Sequence, residues 1–137
     1  VDRVVVADDN QFLTKVLGMV LKRWGWDPVI AHDGIAAVAA IHDARPAVAL
    51  VDINLPKLNG LEVARSIRGA GAGERAGPAL LVALSGYGDS RRRRESLEAG
   101  FDQHLVKPVD PDVLHTLLLG ARRRGGDSAA AVPRADR

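Results

Sequence analysis

Three separated stretches of the chain end alike, in an apolar run that stops at a charged residue. Residues 4–7 run into Asp8 and Asp9, residues 48–51 run into Asp52, and Leu105 with Val106 runs into Lys107 and Pro108. The runs are continuous rather than alternating, as expected of strands covered on both faces. If they lie parallel and adjacent, their charged ends meet at one edge of the sheet, where open α/β folds place their ligands. That edge would gather three carboxylates and one ammonium.

Strands are predicted at residues 3–7, 28–31, 48–51, 79–84 and 103–106, with a helical pattern after each. In the first helix, residues 10–24, an apolar stripe of Leu13, Val16, Leu17, Val20, Leu21 and Trp24 faces the core, and Gln11, Thr14, Lys15, Lys22 and Arg23 face outward. The second, residues 34–44, buries Ala37, Val38 and Ile41. The third begins at Asn59, whose side chain can cap the free amides while Glu62 reaches back, and it packs Val63, Ala64 and Ile67. Asp110 followed by Pro111 opens the fifth, which buries Leu114, Leu117, Leu118 and Ala121. Five β/α units in alternation predict an α/β fold, a doubly wound five-stranded parallel sheet with helices on both faces.

The fourth helix, residues 89–99, differs. It carries Arg91, Arg92, Arg93, Arg94, Glu95 and Glu98, with only Ser96, Leu97 and Ala99 as core contacts, so it is expected to be weakly held. The arginine run reads as a solvated face. Residues 69–77 read as a flexible Gly/Ala-rich connection, and residues 124–137 as a disordered tail following a single domain at 1–123.

A length of 137 residues suits one domain with a core on both faces of a sheet. The formal charge of +2 does not make the domain basic, because Arg122, Arg123, Arg124, Arg134 and Arg137 against Asp127 and Asp136 put +3 at the end and leave −1 elsewhere. A nucleic-acid surface on the domain is not implied. The absence of cysteine excludes disulfides and thiolate metal sites. No stretch reaches membrane-spanning length and no signal pattern opens the chain, which reads as cytoplasmic. The missing initiator Met points to a piece of something longer.

Asp8, Asp9, Asp52 and Lys107 suit one chemistry in particular. Clustered carboxylates repel unless a cation lies among them, and oxygen ligands are what Mg²⁺ prefers, with Mn²⁺ a substitute. A carboxylate in such a place can attack phosphorus and become an aspartyl phosphate. Lys107 and the metal would neutralise the equatorial oxygens, and the Ser85 hydroxyl, following the fourth strand, could donate to one of them.

Over residues 3–121 the chain resembles the receiver domains of bacterial two-component response regulators. The resemblance is carried by Asp8 and Asp9, by Asp52 with Leu55, Pro56 and the Asn59, Gly60 turn, by Ser85 with Gly86, and by Lys107 with Pro108. It implies strand order 2-1-3-4-5, a phosphoacceptor at Asp52, and Mg²⁺ held by Asp8, Asp9, Asp52 and the backbone carbonyl of Asn54. It also implies that Ser85 and Lys107 contact the phosphoryl group, that Ser85 and His104 form the switch, and that the phosphodonor docks near Phe12, Leu13 and Pro108, with packing in the first-helix core an equal alternative for Phe12. The donor would be a histidine kinase or a histidine phosphotransfer domain, and the chain would catalyse its own phosphorylation and dephosphorylation. Asn59 stands where many receivers carry Asp, and His104 where many carry Tyr or Phe. With His104, the stretch 99–111 looks like receivers attached to hybrid sensor kinases, which favours a phosphorelay module.

Two other readings stand beside this one. A Mg²⁺-dependent phosphohydrolase working through an aspartyl phosphate would want a second acid two residues after the nucleophile, where this chain has Asn54, and a cap insertion that it lacks. A stand-alone single-domain response regulator is the other. His32, His42 and His115 have no metal-ligand spacing and are expected to be structural, as are Trp24 and Trp26.

Overall fold

The computed structural model describes residues 2–69, 77–86 and 90–126. Five strands alternate with five helices: β1 (Arg3–Ala7), α1 (Gln11–Arg23), β2 (Asp27–Ala31), α2 (Gly34–Ala44), β3 (Val48–Asp52), α3 (Gly60–Arg68), β4 (Leu80–Ser85), α4 (Ser90–Ala99), β5 (Gln103–Val106) and α5 (Pro111–Gly126). The strands are parallel in the order β2-β1-β3-β4-β5, as expected. Among the described residues no helix is long and apolar enough to cross a membrane.

The continuous apolar runs divide by parity between two cores, because successive side chains leave a strand on opposite faces. Val4, Val6, Val48, Leu50, Val82 and Leu84 pack with Leu17 and Leu21 of α1 and Leu114, Leu118 and Ala121 of α5. Val5, Ala7, Ala49, Val51, Leu81 and Ala83 pack with Ala37, Ile41, Val63, Ala64, Ile67 and Ala99 of the three helices on the other face. Four strand alanines on that second face, Ala7, Ala31, Ala49 and Ala83, put short side chains under the helices.

The predicted capping box forms, with Asn59 and Glu62 bonded reciprocally, and the structure adds caps at Asn10 and Asp33, which accept from the Leu13 and Ala36 amides at 3.1 and 2.8 Å. Asp110 accepts from the Asp112 amide at 2.9 Å, and α5 continues to Gly126, so residues 124–126, placed in the tail from sequence, are helical. The remaining tail and most of the Gly/Ala-rich connection lie outside the described residues.

Three side chains take the opposite environment to the one predicted. Thr14 is buried and Val16 is 39% exposed, and on α4 Leu97 is 52% exposed while Ser96 and Ala99 are buried. In α1 the buried stripe is rotated toward β2. There the Thr14 hydroxyl lies 3.3 Å from His32 Nε2 and 3.1 Å from the Gln11 carbonyl, which satisfies a polar group that the apolar pattern would leave outside. Trp24 stacks on His115 with centroids 4.0 Å apart, and the Arg122 guanidinium lies 4.4 Å over Trp26, so these rings pack as expected.

Candidate functional site

The parallel register brings the strand-end charges together. Ala7 lies beside Val51, Asp52 beside Leu84, and Ser85 beside Val106, so Asp8, Asp52, Ser85 and Lys107 all reach the C-terminal edge of the central strands. Asp8 and Asp52 are buried and Asp9 is exposed, and carboxylate oxygens of the three lie within 4.8 Å of one another. Lys107 sits between two of them, with Nζ 2.6 Å from Asp8 Oδ2 and 3.3 Å from Asp52 Oδ2.

Backbone groups hold the charged side chains in place. The Asn10 amide donates to Asp8 Oδ1 at 2.9 Å and the Asn54 amide donates to Asp52 Oδ1 at 3.0 Å. Both are turns closed by an aspartate on the amide two residues ahead, in Asp8-Asp9-Asn10 and Asp52-Ile53-Asn54. The reading from sequence overlooks these orienting contacts, although the repeated Asp-X-Asn spacing signals them. The Lys107 amide donates to the Ser85 carbonyl at 2.7 Å, extending the β4–β5 ladder past the strand ends, and the Lys107–Pro108 peptide is cis. Below Asp52, the Gly60 amide donates to the Ile53 carbonyl at 2.8 Å, and a Cβ on Gly60 would overlap the Asp52 carbonyl oxygen. Only glycine lets α3 start so close to β3.

Burial pushes the Asp52 carboxyl above its ordinary value, and the Asp8 charge pushes it the same way, against the pull of the Asn54 amide and Lys107. Burial works against the charge on Lys107, but its hydrogen bond to Asp8 and the attraction of Asp52 and Asp8 outweigh that, so its value is raised. All the converging donors are carboxylate oxygens, the ligand class of Mg²⁺ and Mn²⁺, and one of them is open to solvent. The residues present fit a hard divalent cation.

The other singled-out residues fall in two places. Ser85 and His104 are both buried, at the end of β4 and opposite Ala83 on β5. Phe12, Leu13 and Pro108 line one groove of about 480 Å³ beside Lys107, with Val16, Val20, Trp24 and Leu114 continuing it along α1 and α5. Phe12 is 77% exposed, so α1 does not use it as core.

The DNA-binding response regulator MtrA of Mycolicibacterium paratuberculosis is 33% identical over 130 residues, covering 95% of this chain and 55% of the relative. The chain thus spans about half the length of the curated relatives it matches. Among solved structures, the receiver domain of sensor histidine kinase PA1611 from Pseudomonas aeruginosa is 28% identical with a TM-score of 0.73, covering 85% of this chain and 93% of that one. The beryllofluoride-activated receiver domain of Klebsiella pneumoniae RstA is 26% identical with a TM-score of 0.75, covering 85% and 95%. Residues 4–119 match the response regulator receiver domain, and with the acidic cluster at the sheet edge this chain belongs to that family.

Proposed function

We propose that Asp52 is the residue phosphorylated in this receiver, with Asp8, Asp9, Asp52 and the Asn54 carbonyl as the ligands of Mg²⁺ or Mn²⁺. The observation that carries the reading is the convergence of three carboxylates on one cation-sized space with Lys107 already bridging two of them. The metal, when bound, supplies positive charge that lets an anionic donor approach. An Asp52 oxygen attacks phosphorus, the P–N bond of a phosphohistidine breaks, and its electron pair returns to the imidazole nitrogen. Lys107, held by its amide on Ser85, needs only to swing its ammonium from the carboxylates to a phosphoryl oxygen. The Ser85 hydroxyl donates to another, and His104, buried on the neighbouring strand, responds to that displacement.

The partner is a histidine kinase or a histidine phosphotransfer domain, docked on the groove of Phe12, Leu13 and Pro108. The domain itself contacts neither nucleic acid nor membrane. Two settings are open to such a module. The stretch containing His104 and the likeness to a sensor-kinase receiver support a hybrid kinase or phosphorelay, whereas relatives described as DNA-binding response regulators support an effector regulator. A reading frame that continues upstream into a kinase core decides for the first, and one that continues into a DNA-binding domain decides for the second.

Intact-mass spectrometry after incubation with acetyl phosphate and Mg²⁺ tests the assignment. One added phosphoryl group is expected, absent in Asp52→Asn and absent with chelator. Equal labelling of Asp52→Asn would overturn it.

A further inference from the structure

The two ends of α4 are held very differently. Arg91 to Arg94 supply no apolar side chain to the core, whereas Ser96, Ala99 and the following Phe101 are buried. At the C-terminal end the Phe101 amide donates to the Ser96 carbonyl at 3.0 Å and the Gly100 amide to the Leu97 carbonyl at 3.1 Å, with Gly100 at φ +122°. That is a Schellman closure on a glycine. Arg68, at the end of α3, then locks the closure. Its Nε donates to the Gly100 carbonyl at 3.0 Å, one terminal nitrogen donates to the Pro78 carbonyl at 2.9 Å, and the other donates to Asp102 Oδ2 at 2.8 Å. The same Asp102 oxygen accepts from the Leu81 amide at 2.8 Å, and the Asp102 amide donates to the Leu81 carbonyl at 2.7 Å. A Cβ on Gly100 would meet Arg68 Cγ at 2.6 Å, so the arginine stem fills the space that the glycine leaves.

We propose that the buried Arg68–Asp102 pair is the pivot of α4, fixing its C-terminal end to α3, β4 and β5 so that the helix moves only at its arginine-rich end. The guanidinium fork joins the segment before β4, at Pro78, to both ends of the α4–β5 turn, at Gly100 and Asp102, and no other described ion pair is as deeply buried. It lies at the sheet edge opposite the carboxylate cluster. A signal arriving from Ser85 and His104 therefore tilts the near end of α4 while the far end stays anchored, which turns a small displacement into a rotation. The response to phosphorylation in this scheme rests on the function proposed above, whereas the clamp itself does not.

Hydrogen-exchange mass spectrometry on the full chain separates the two. Arg68→Lys keeps the charge and loses the fork, and the double variant Arg68→Met with Asp102→Asn removes both charges. In each, amides at 97–103 are expected to exchange about tenfold faster than in the unsubstituted chain while β1 and β3 keep their rates. Unchanged exchange at 97–103, or an equal rise in β1 and β3, would overturn the pivot. Should the double variant not fold, Arg68→Lys alone decides. Beryllofluoride with Mg²⁺ added to the unsubstituted chain is expected to change exchange at 91–96 and not at 100–103, and an equal change at both would also overturn the pivot. No change anywhere would count against the phosphoacceptor at Asp52, and the comparison without beryllofluoride would still decide the clamp.

Discussion

Replacing Asp52 by Asn should make the metal-free domain more stable at neutral pH. At an effective dielectric of about 20, the Lys107 ammonium 3.3 Å away stabilises the Asp52 carboxylate by about 5 kcal/mol. Asp8, with oxygens within 4.8 Å, returns at least about 3.5 kcal/mol of repulsion. Charge alone therefore favours Asp52 by only about 1.5 kcal/mol, against a burial penalty of several kcal/mol for an ion. Burial prevails, as the raised Asp52 value indicates. Asn preserves the shape and the acceptor for the Asn54 amide, and it leaves Lys107 its closer partner Asp8 at 2.6 Å. The expected gain is about 1–2 kcal/mol, or roughly 3–6 °C in Tm for a domain of this size.

The pH dependence has a definite sign. A carboxyl whose folded value lies above its unfolded value of 3.8 penalises the fold above the folded value, and the penalty fades as pH falls through it. The gap between Asp52→Asn and the unsubstituted domain should thus be full at pH 7 and shrink toward pH 4, measured by circular dichroism melts at low ionic strength in chelator. Added Mg²⁺ should raise the Tm of the unsubstituted domain more than that of the variant, since the cation restores what the cluster lacks. A variant that melts lower at pH 7, or a gap that does not change with pH, would show that the Lys107 pair outweighs burial and would refute the reasoning.

Lys107→Met removes the cation that pairs with the buried Asp8 carboxylate, so urea unfolding at pH 7 should show a loss of about 2–4 kcal/mol. Because the raised Lys107 value makes this stabilisation full below 10.5 and lost as pH rises through the folded value, the loss should narrow in strong alkali. Asn59→Ala removes the bond from the Glu62 amide to the Asn59 side chain and leaves the backbone half of the α3 capping box, and it should lower stability by about 1 kcal/mol without altering phosphorylation, checked by melting and intact mass.

Much of the site was legible in the chain because its signals are local. An apolar run that ends in a charge marks a strand end, and parallel pairing carries every such end to the same edge, so Asp8, Asp52, Ser85 and Lys107 could be brought together before any contact was seen. Asn59 with Glu62 and Asp110 with Pro111 announce helix starts by chemistry confined to four residues or fewer. Phe12, Leu13 and Pro108, proposed above as docking residues, share one groove because α1 and the β5–α5 connection both begin at that edge.

Other features answer to tertiary packing. Thr14 and Val16 exchange their expected environments because the rotation of α1 is set by what it meets, and a partner 18 residues away, His32, satisfies the threonine hydroxyl. Leu97 stays exposed because α4 is seated by Ser96, Ala99 and Phe101, and the small apolar content of that helix does not say which side is down. The Arg68–Asp102 pair spans 34 residues and has no periodic signature. The sequence alone determined the order of strands and helices, the caps at Asn59 and Asp110 and the charged residues at the C-terminal sheet edge, since backbone propensity and burial period act over a few neighbours. Only the tertiary structure decided the tilt of each helix and the long-range polar locks, because these depend on distances between segments that the chain brings together only on folding.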